Sequence, residues 1–228
     1  MRGLFVTATD TGVGKSVLSA ALVAAMRVEG LPAVPYKPVL TGVEAAPAEG
    51  AWPPDDELLA LAAGIEQMAV APLRFGPAVS PHLAAELAGE AIDPEELLAQ
   101  ARHLTPAGET IIVEGVGGLL VPLSGSYLVR DLAAALALPL LIAARPGLGT
   151  INHTLLTLEA AREAGLEVRA VVLTPWPADP DEMQCSNRHT IAELGAVEVA
   201  TLGHVSVPDA AALAAAGAVL PWRRWLDG

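Results

Sequence analysis

The sequence has a single cysteine, Cys185, so it can form no internal disulfide, and with no second thiol a cysteine-based metal centre is not expected. That usage fits a reducing cytoplasm. Positive charge is scarce too: 13 Lys and Arg stand against 26 Asp and Glu, a formal net charge of −13. Nucleic acids and anionic membrane surfaces both demand a basic face, so neither is expected as a partner, and the ligand is expected to be small. Long apolar runs are also lacking. The longest uncharged one lies between Asp131 and Arg145, is broken by Pro139 and falls short of the roughly 18 residues that a membrane span needs. No transmembrane helix is expected. Met1-Arg2 leads directly into an apolar strand pattern, so no signal peptide is expected.

Lysine is the rarer cation. All the basic residues are arginine except Lys15 and Lys37. Where a planar fork is the default, two retained lysines point to sites that need a compact, flexible ammonium, such as phosphate contact or amine and carbamate chemistry.

What is present is a core-forming α/β pattern. With 228 residues and 53% hydrophobic content the chain can bury a large core, and one domain spanning residues 1–228 is expected. Leu4-Phe5-Val6 reads as a buried strand, and Leu18, Ala21, Leu22, Ala25 and Met26 recur at helical spacing before Gly30 stops the helix. Between them lies Ala8-Thr9-Asp10-Thr11-Gly12-Val13-Gly14-Lys15-Ser16, the setting of a phosphate-binding loop. Its backbone N–H groups and the following helix dipole would face the anion, Lys15 would reach the terminal phosphates, and the Ser16 hydroxyl would meet Mg²⁺.

Further strands are expected at Ala33–Tyr36, Thr110–Val113, Pro139–Ala143, Val168–Leu173 and Val197–Leu202, and a Pro-rich loop containing Trp176 follows the fourth of these. Helices are expected after the Asp55-Asp56 pair, which would cap the first of them, from Ser80-Pro81, over 94–103, 150–164 and 182–194, and after Pro208. The stretch from Glu44 to Pro54 has no period and reads as a surface loop. The alternation predicts an α/β, three-layer fold with a mostly parallel sheet of six or seven strands.

In such a sheet ligands gather at the carboxyl ends of strands. Lys37 and Thr41 follow the second strand, and Glu114 follows Thr110–Val113 just before glycines. Ser16, Glu114 and an aspartate at 55 or 56 would supply the hydroxyl and one or two carboxylates that phosphate-bound Mg²⁺ takes. Thr150, Asn152 and His153 open a helix after Gly147-Leu148-Gly149, where exposed N–H groups suit either an anionic ligand group or simple capping.

Four motifs, in order along nearly the whole chain, resemble the dethiobiotin synthetase family. They are Thr9-Asp10-Thr11-Gly12-Val13-Gly14-Lys15-Ser16, Tyr36-Lys37-Pro38-Val39 with Thr41-Gly42, Val113-Glu114-Gly115-Val116-Gly117-Gly118, and Gly149-Thr150-Ile151-Asn152-His153. Ser80-Pro81-His82 also matches. The resemblance implies an ATP- and Mg²⁺-dependent ring closure in which 7,8-diaminononanoate and CO₂ give dethiobiotin through a carbamate and a carbamic-phosphoric mixed anhydride. It implies nucleotide contacts from Asp10, Gly12, Val13, Gly14, Lys15, Ser16, Val17, Glu114, Gly117 and Thr174. Thr11 and Lys15 would hold phosphates, Lys37 would steady the reacting carbamate, and Thr41 would sit beside the substrate. It selects Asp55 over Asp56 as the metal ligand with Ser16 and Glu114. It also implies a homodimer whose site lies at the subunit interface, with Thr150 and Asn152 of one subunit meeting the substrate carboxylate.

The sequence departs from the family at Ala8, at Ser16 and at Thr174-Pro175-Trp176, where some members place a base-reading asparagine. Regulatory ATPases of the chromosome-partitioning type share the expected fold but carry a second lysine early in the phosphate loop, where this chain has Asp10.

Overall fold

In the computed structural model, residues 1–44, 52–106 and 108–227 are described. Most of the loop expected over 44–54 therefore lies outside the described residues. The strands are β1 (Arg2–Ala8), β2 (Ala33–Tyr36), β3 (Val39–Thr41), β4 (Leu73–Phe75), β5 (Thr110–Glu114), β6 (Pro122–Ser124), β7 (Tyr127–Leu128), β8 (Leu140–Ala144), β9 (Val168–Trp176) and β10 (Glu198–Gly203). The helices are α1 (Lys15–Val28), α2 (Asp55–Ala63), α3 (Pro81–Ala88), α4 (Pro94–His103), α5 (Val129–Leu136), α6 (Thr150–Glu163), α7 (Glu182–Gly195), α8 (Ala210–Ala218) and α9 (Trp222–Asp227).

Six strands form one parallel sheet in the order β10-β9-β8-β1-β5-β2, with β1 inside it. Side chains alternate between its faces, as a strand period of two requires. Leu4, Val6 and Ala8 of β1 join the core formed with α1, α2, α8 and α9, whereas Phe5 joins the core with α4, α5 and α6. The three-layer α/β architecture is thus the one expected. Helix α8 crosses α1 closely at Gly217, where a Cβ would fall 2.0 Å from the Ala21 carbonyl oxygen, so only glycine fits there.

Two expectations need correction. Asp55 and Asp56 do not cap α2: Pro54 occupies the cap position without a side-chain bond, and both carboxylates lie inside the first turn, turned toward other partners. The Pro-rich stretch after Leu173 is the continuation of β9 through Trp176. Pairing with β8 ends at Ala144–Leu173, so Pro175 meets no β8 ladder, and the register with β10 shifts between Thr201 and Gly203. A proline is tolerated where the ladder is already interrupted.

Candidate active site

The phosphate loop leaves β1 at Ala8 and enters α1 at Lys15. Its first turn is fixed to the sheet by the Thr9 amide, which donates to the Ala143 carbonyl at 3.0 Å. Gly14 is the helix N-cap at φ 97°, and a Cβ there would meet Thr174 at 3.1 Å. A left-handed backbone and a close neighbour together require glycine at this position. Thr174 is thereby packed against the loop, from the end of β9.

Beside the loop opens a cleft of ≈ 690 Å³ whose lining includes Thr11, Gly12, Gly14, Lys15, Ser16, Val17, Thr41, Asp55 and Gly117. Lys37 and Glu114 are buried directly behind this wall. Lys37 follows β2, Glu114 ends β5 and Asp55 begins α2, so three elements deliver charge to one place. The Lys37 Nζ lies 2.6 Å from Asp55 Oδ2 and 2.6 Å from Glu114 Oε1. Lys15 Nζ is 3.7 Å from the same Glu114 oxygen. The Ser16 Oγ is 2.6 Å from Asp55 Oδ1 and 2.9 Å from Glu114 Oε1, and its one proton serves one carboxylate at a time.

Two ammonium groups and two carboxylates leave this cluster formally neutral. Burial opposes the charge on Lys37, but the Glu114 and Asp55 carboxylates outweigh it and hold the ammonium above the ordinary lysine range. Burial likewise works against the Asp55 carboxylate, yet Lys37 and then Lys15 hold it below the usual carboxylate range. Lys15 moves the other way, lowered first by burial and then by the Lys37 charge.

Asp56 has a different task. It is fully buried, pairs with Arg74 of β4 and accepts from Gln67 at 2.9 Å, which ties α2 to the β3–β4 ribbon. Of the two aspartates it is Asp55 that lines the cleft. Among the described residues no group of three or more His, Cys, Asp and Glu side chains is placed so as to hold a metal ion by itself. The cluster offers two carboxylates and a hydroxyl, all hard oxygen donors, and Glu114 Oε2 is buried with no hydrogen-bond partner. Such a small oxygen set suits a divalent cation that takes its remaining ligands from phosphate and water.

Of the other expected residues, Val13 is buried beneath the loop and Asp10 accepts the Thr11 amide at 2.7 Å. Thr150 is buried, Asn152 and His153 are exposed, and none of them lines the ≈ 690 Å³ cleft. Gly149, not a polar side chain, is the N-cap of α6 and makes no side-chain cap bond. A second cleft of ≈ 400 Å³ continues from Thr9, Asp10 and Thr11 to Leu120, before β6, and to Leu156 and Thr157 of α6. Arg145, which the motifs did not single out, donates from one guanidinium nitrogen to the Thr11 carbonyl at 3.2 Å and the Gly12 carbonyl at 3.4 Å. Its place directly after an apolar strand, at the ligand edge of the sheet, was the available signal.

A family model described as an AAA domain matches residues 2–213. The chain is 45% identical over 208 residues to an ATP-dependent dethiobiotin synthetase of Anaeromyxobacter sp. strain Fw109-5, covering 90% of this chain and 91% of that protein. It is 39% identical over 216 residues to a protein of the same name from Mycobacterium sp. strain JLS, covering 92% of each. A solved ParA family ATPase from Chlorobium tepidum TLS superposes with a TM-score of 0.54 over 98% of this chain and 94% of that one, at 13% identity. That likeness is one of fold.

Proposed function

The chain belongs to the ATP-dependent dethiobiotin synthetase family, and from that premise we propose how its site carries out the reaction. It is an ATP-dependent ligase of biotin biosynthesis that makes dethiobiotin. The fold-level likeness to ParA-type proteins does not favour a regulatory ATPase.

The substrates in this reading are 7,8-diaminononanoate, CO₂ and ATP. One amine adds CO₂ and loses a proton to become a carbamate. A carbamate oxygen attacks the γ-phosphorus, the bond to the ADP oxygen breaks, and a mixed anhydride forms. The second amine attacks the anhydride carbonyl and closes the ureido ring, the anhydride C–O bond to phosphate breaks, and the proton the amine gives up leaves with the phosphate. No covalent enzyme intermediate is needed, so catalysis is positioning and charge stabilisation.

The observation that carries this reading is the Lys37 ammonium held between Asp55 and Glu114 and backed by Lys15 at the phosphate loop. In the reaction Lys15 and Thr11 hold phosphates, Lys37 steadies the carbamate and the transferring phosphoryl group, and Thr41 contacts the substrate. Asp10, Gly12, Val13, Gly14, Val17, Gly117 and Thr174 shape the nucleotide contacts. Mg²⁺ is the cation the oxygen set suits; Ser16, Asp55 and Glu114 would hold it, and when bound it neutralises charge on the phosphates.

The substrate carboxylate is assigned to the helix start at Thr150 and Asn152 of a second subunit, which makes the working form a homodimer. Three features support that assignment. Asn152 is exposed and outside the main cleft, Leu148 beside it is 94% exposed, and Leu120 and Leu156 of the second cleft are exposed as well. The test supplies the diamine, MgATP and ¹³C-bicarbonate to the purified chain and examines the product by mass spectrometry. A cyclic urea carrying one ¹³C is expected; labelled carbamate with no ring would contradict the role given to the second amine.

A further inference from the structure

The phosphate loop has little to hold its middle. Thr11 and Gly12 are exposed, Gly12 sits at φ +69°, and Asp10 fastens only the Thr11 amide. Arg145 reaches the two carbonyls that follow, at 3.2 Å on Thr11 and 3.4 Å on Gly12. Arg2 and Arg74 pair with carboxylates, whereas Arg145 directs its guanidinium at backbone oxygen.

The direction of those bonds has a consequence for the opposite side of the loop. In a planar trans peptide the C=O and the next N–H point opposite ways. With the Thr11 and Gly12 carbonyls turned to Arg145, the amides of Gly12 and Val13 face away from it, and among the described residues neither donates to a backbone carbonyl. Oriented amides are how such a loop binds phosphate.

Arg145 is itself held in place. It follows β8, whose Ala143 carbonyl already fixes Thr9. Just beyond it, buried Asn187 of α7 donates to the Pro146 carbonyl at 3.0 Å and the Gly147 carbonyl at 3.2 Å. A continuous set of bonds therefore runs from α7 through the 146–147 segment and Arg145 to the phosphate loop.

We propose that Arg145 is a positioning residue for the nucleotide: its guanidinium bridges the Thr11 and Gly12 carbonyls and presets the phosphate loop in its anion-binding conformation. The proposal rests only on the nucleotide-loop part of the reading above. ADP binding needs no diamine, so it can be measured whatever becomes of the ring-closure chemistry.

The experiment measures the dissociation constant of ADP by calorimetry, together with melting temperature and the KM for the diamine. Arg145→Ala is expected to keep its fold, since Arg145 is exposed, and to weaken ADP binding about ten-fold, the scale of losing charge-assisted bonds. The diamine KM stays unchanged, and millimolar guanidinium restores part of the lost ADP affinity by filling the vacated position. Arg145→Lys keeps the charge but on a shorter side chain whose ammonium stops one bond short of the guanidinium nitrogen that reaches both carbonyls, so its ADP affinity falls between those of wild type and Arg145→Ala. Should Arg145→Ala fail to fold, Arg145→Lys decides alone, and weakened ADP binding in it supports the role. ADP affinity within two-fold of wild type in a folded Arg145→Ala protein overturns the proposal, as does wild-type affinity in Arg145→Lys. A raised diamine KM with ADP binding unmoved overturns it too, because it would place Arg145 at the substrate.

Discussion

Lys37 Nζ and Glu114 Oε1 lie 2.6 Å apart, both buried and 77 residues apart in sequence, and the same ammonium lies 2.6 Å from Asp55. The ammonium therefore occupies the position between the two carboxylates assigned to a divalent cation. A divalent cation placed there would compete with Lys37 for them. Lys37→Met is expected to raise the Mn²⁺ affinity of the nucleotide-free protein by about ten-fold, the equivalent of ~1.4 kcal/mol. Electron paramagnetic resonance of free Mn²⁺ measures it, and an unchanged affinity would mean that the metal does not use this pair.

The neighbouring aspartates are expected to fail differently. Asp55→Asn removes a cleft carboxylate and should cut turnover and Mg²⁺ dependence with little loss of stability. Asp56→Ala removes the buried acceptor shared by the half-buried Arg74 and Gln67 and should cost about 2 kcal/mol of stability, the scale of losing hydrogen bonds to a charged group. Urea unfolding and Mg²⁺ titration of the two variants separate these outcomes; the reverse pattern would exchange the roles.

These two residues mark the border of what could be read from the sequence. The phosphate loop, the strand ending at Glu114 and the second lysine were legible because each is a local pattern at the end of an apolar run. Which of two adjacent helical carboxylates faces the cleft depends on α2's rotation against β4, and that is set by Arg74, 18 residues further on. Arg145 escaped the motifs because its partners are backbone carbonyls, which carry no residue identity. The short elements β3, β4, β6, β7, α5 and α9 were missed as well. Most are too short to display a period, and α9 is held by tertiary contacts: Trp225 is buried, Arg223 pairs with Glu29, and Arg224 lies 2.5 Å from Glu198.

The two lysines are expected to titrate on opposite sides of the ordinary lysine value. Lys37 is raised, so its stabilising contribution is complete below the unfolded value of about 10.4 and is lost as pH rises through its higher folded value. Lys15 is lowered, so the folded state disfavours its charge; that penalty is complete below its lowered folded value and fades as pH rises from there to the ordinary value. Because the chain has just two lysines, ¹³C-lysine labelling gives two side-chain signals to follow by NMR. Lys37→Met should move the Lys15 midpoint upward by removing a like charge. Coincident midpoints at the ordinary value would contradict the cluster's electrostatics.

The interface assignment is tested by mixing two inactive proteins, Lys15→Ala and Asn152→Glu, after dissociating and reassociating their subunits. In a two-fold dimer, half of the reassociated pairs are mixed, and each mixed pair holds one site with both defects and one with neither. About a quarter of wild-type sites should return. An inactive mixture of soluble, dimeric, exchanged chains would place each site within one subunit.

Coupling of ATP cleavage to ring closure is read by phosphate release from MgATP with the diamine and bicarbonate supplied together and each withheld in turn, alongside the dethiobiotin formed. One phosphate per dethiobiotin is expected, with release that falls to background when either co-substrate is missing, and no release from Lys37→Ala. Steady phosphate release without the diamine, persisting in Lys37→Ala, would contradict this coupling and leave the chain a simple nucleotide hydrolase.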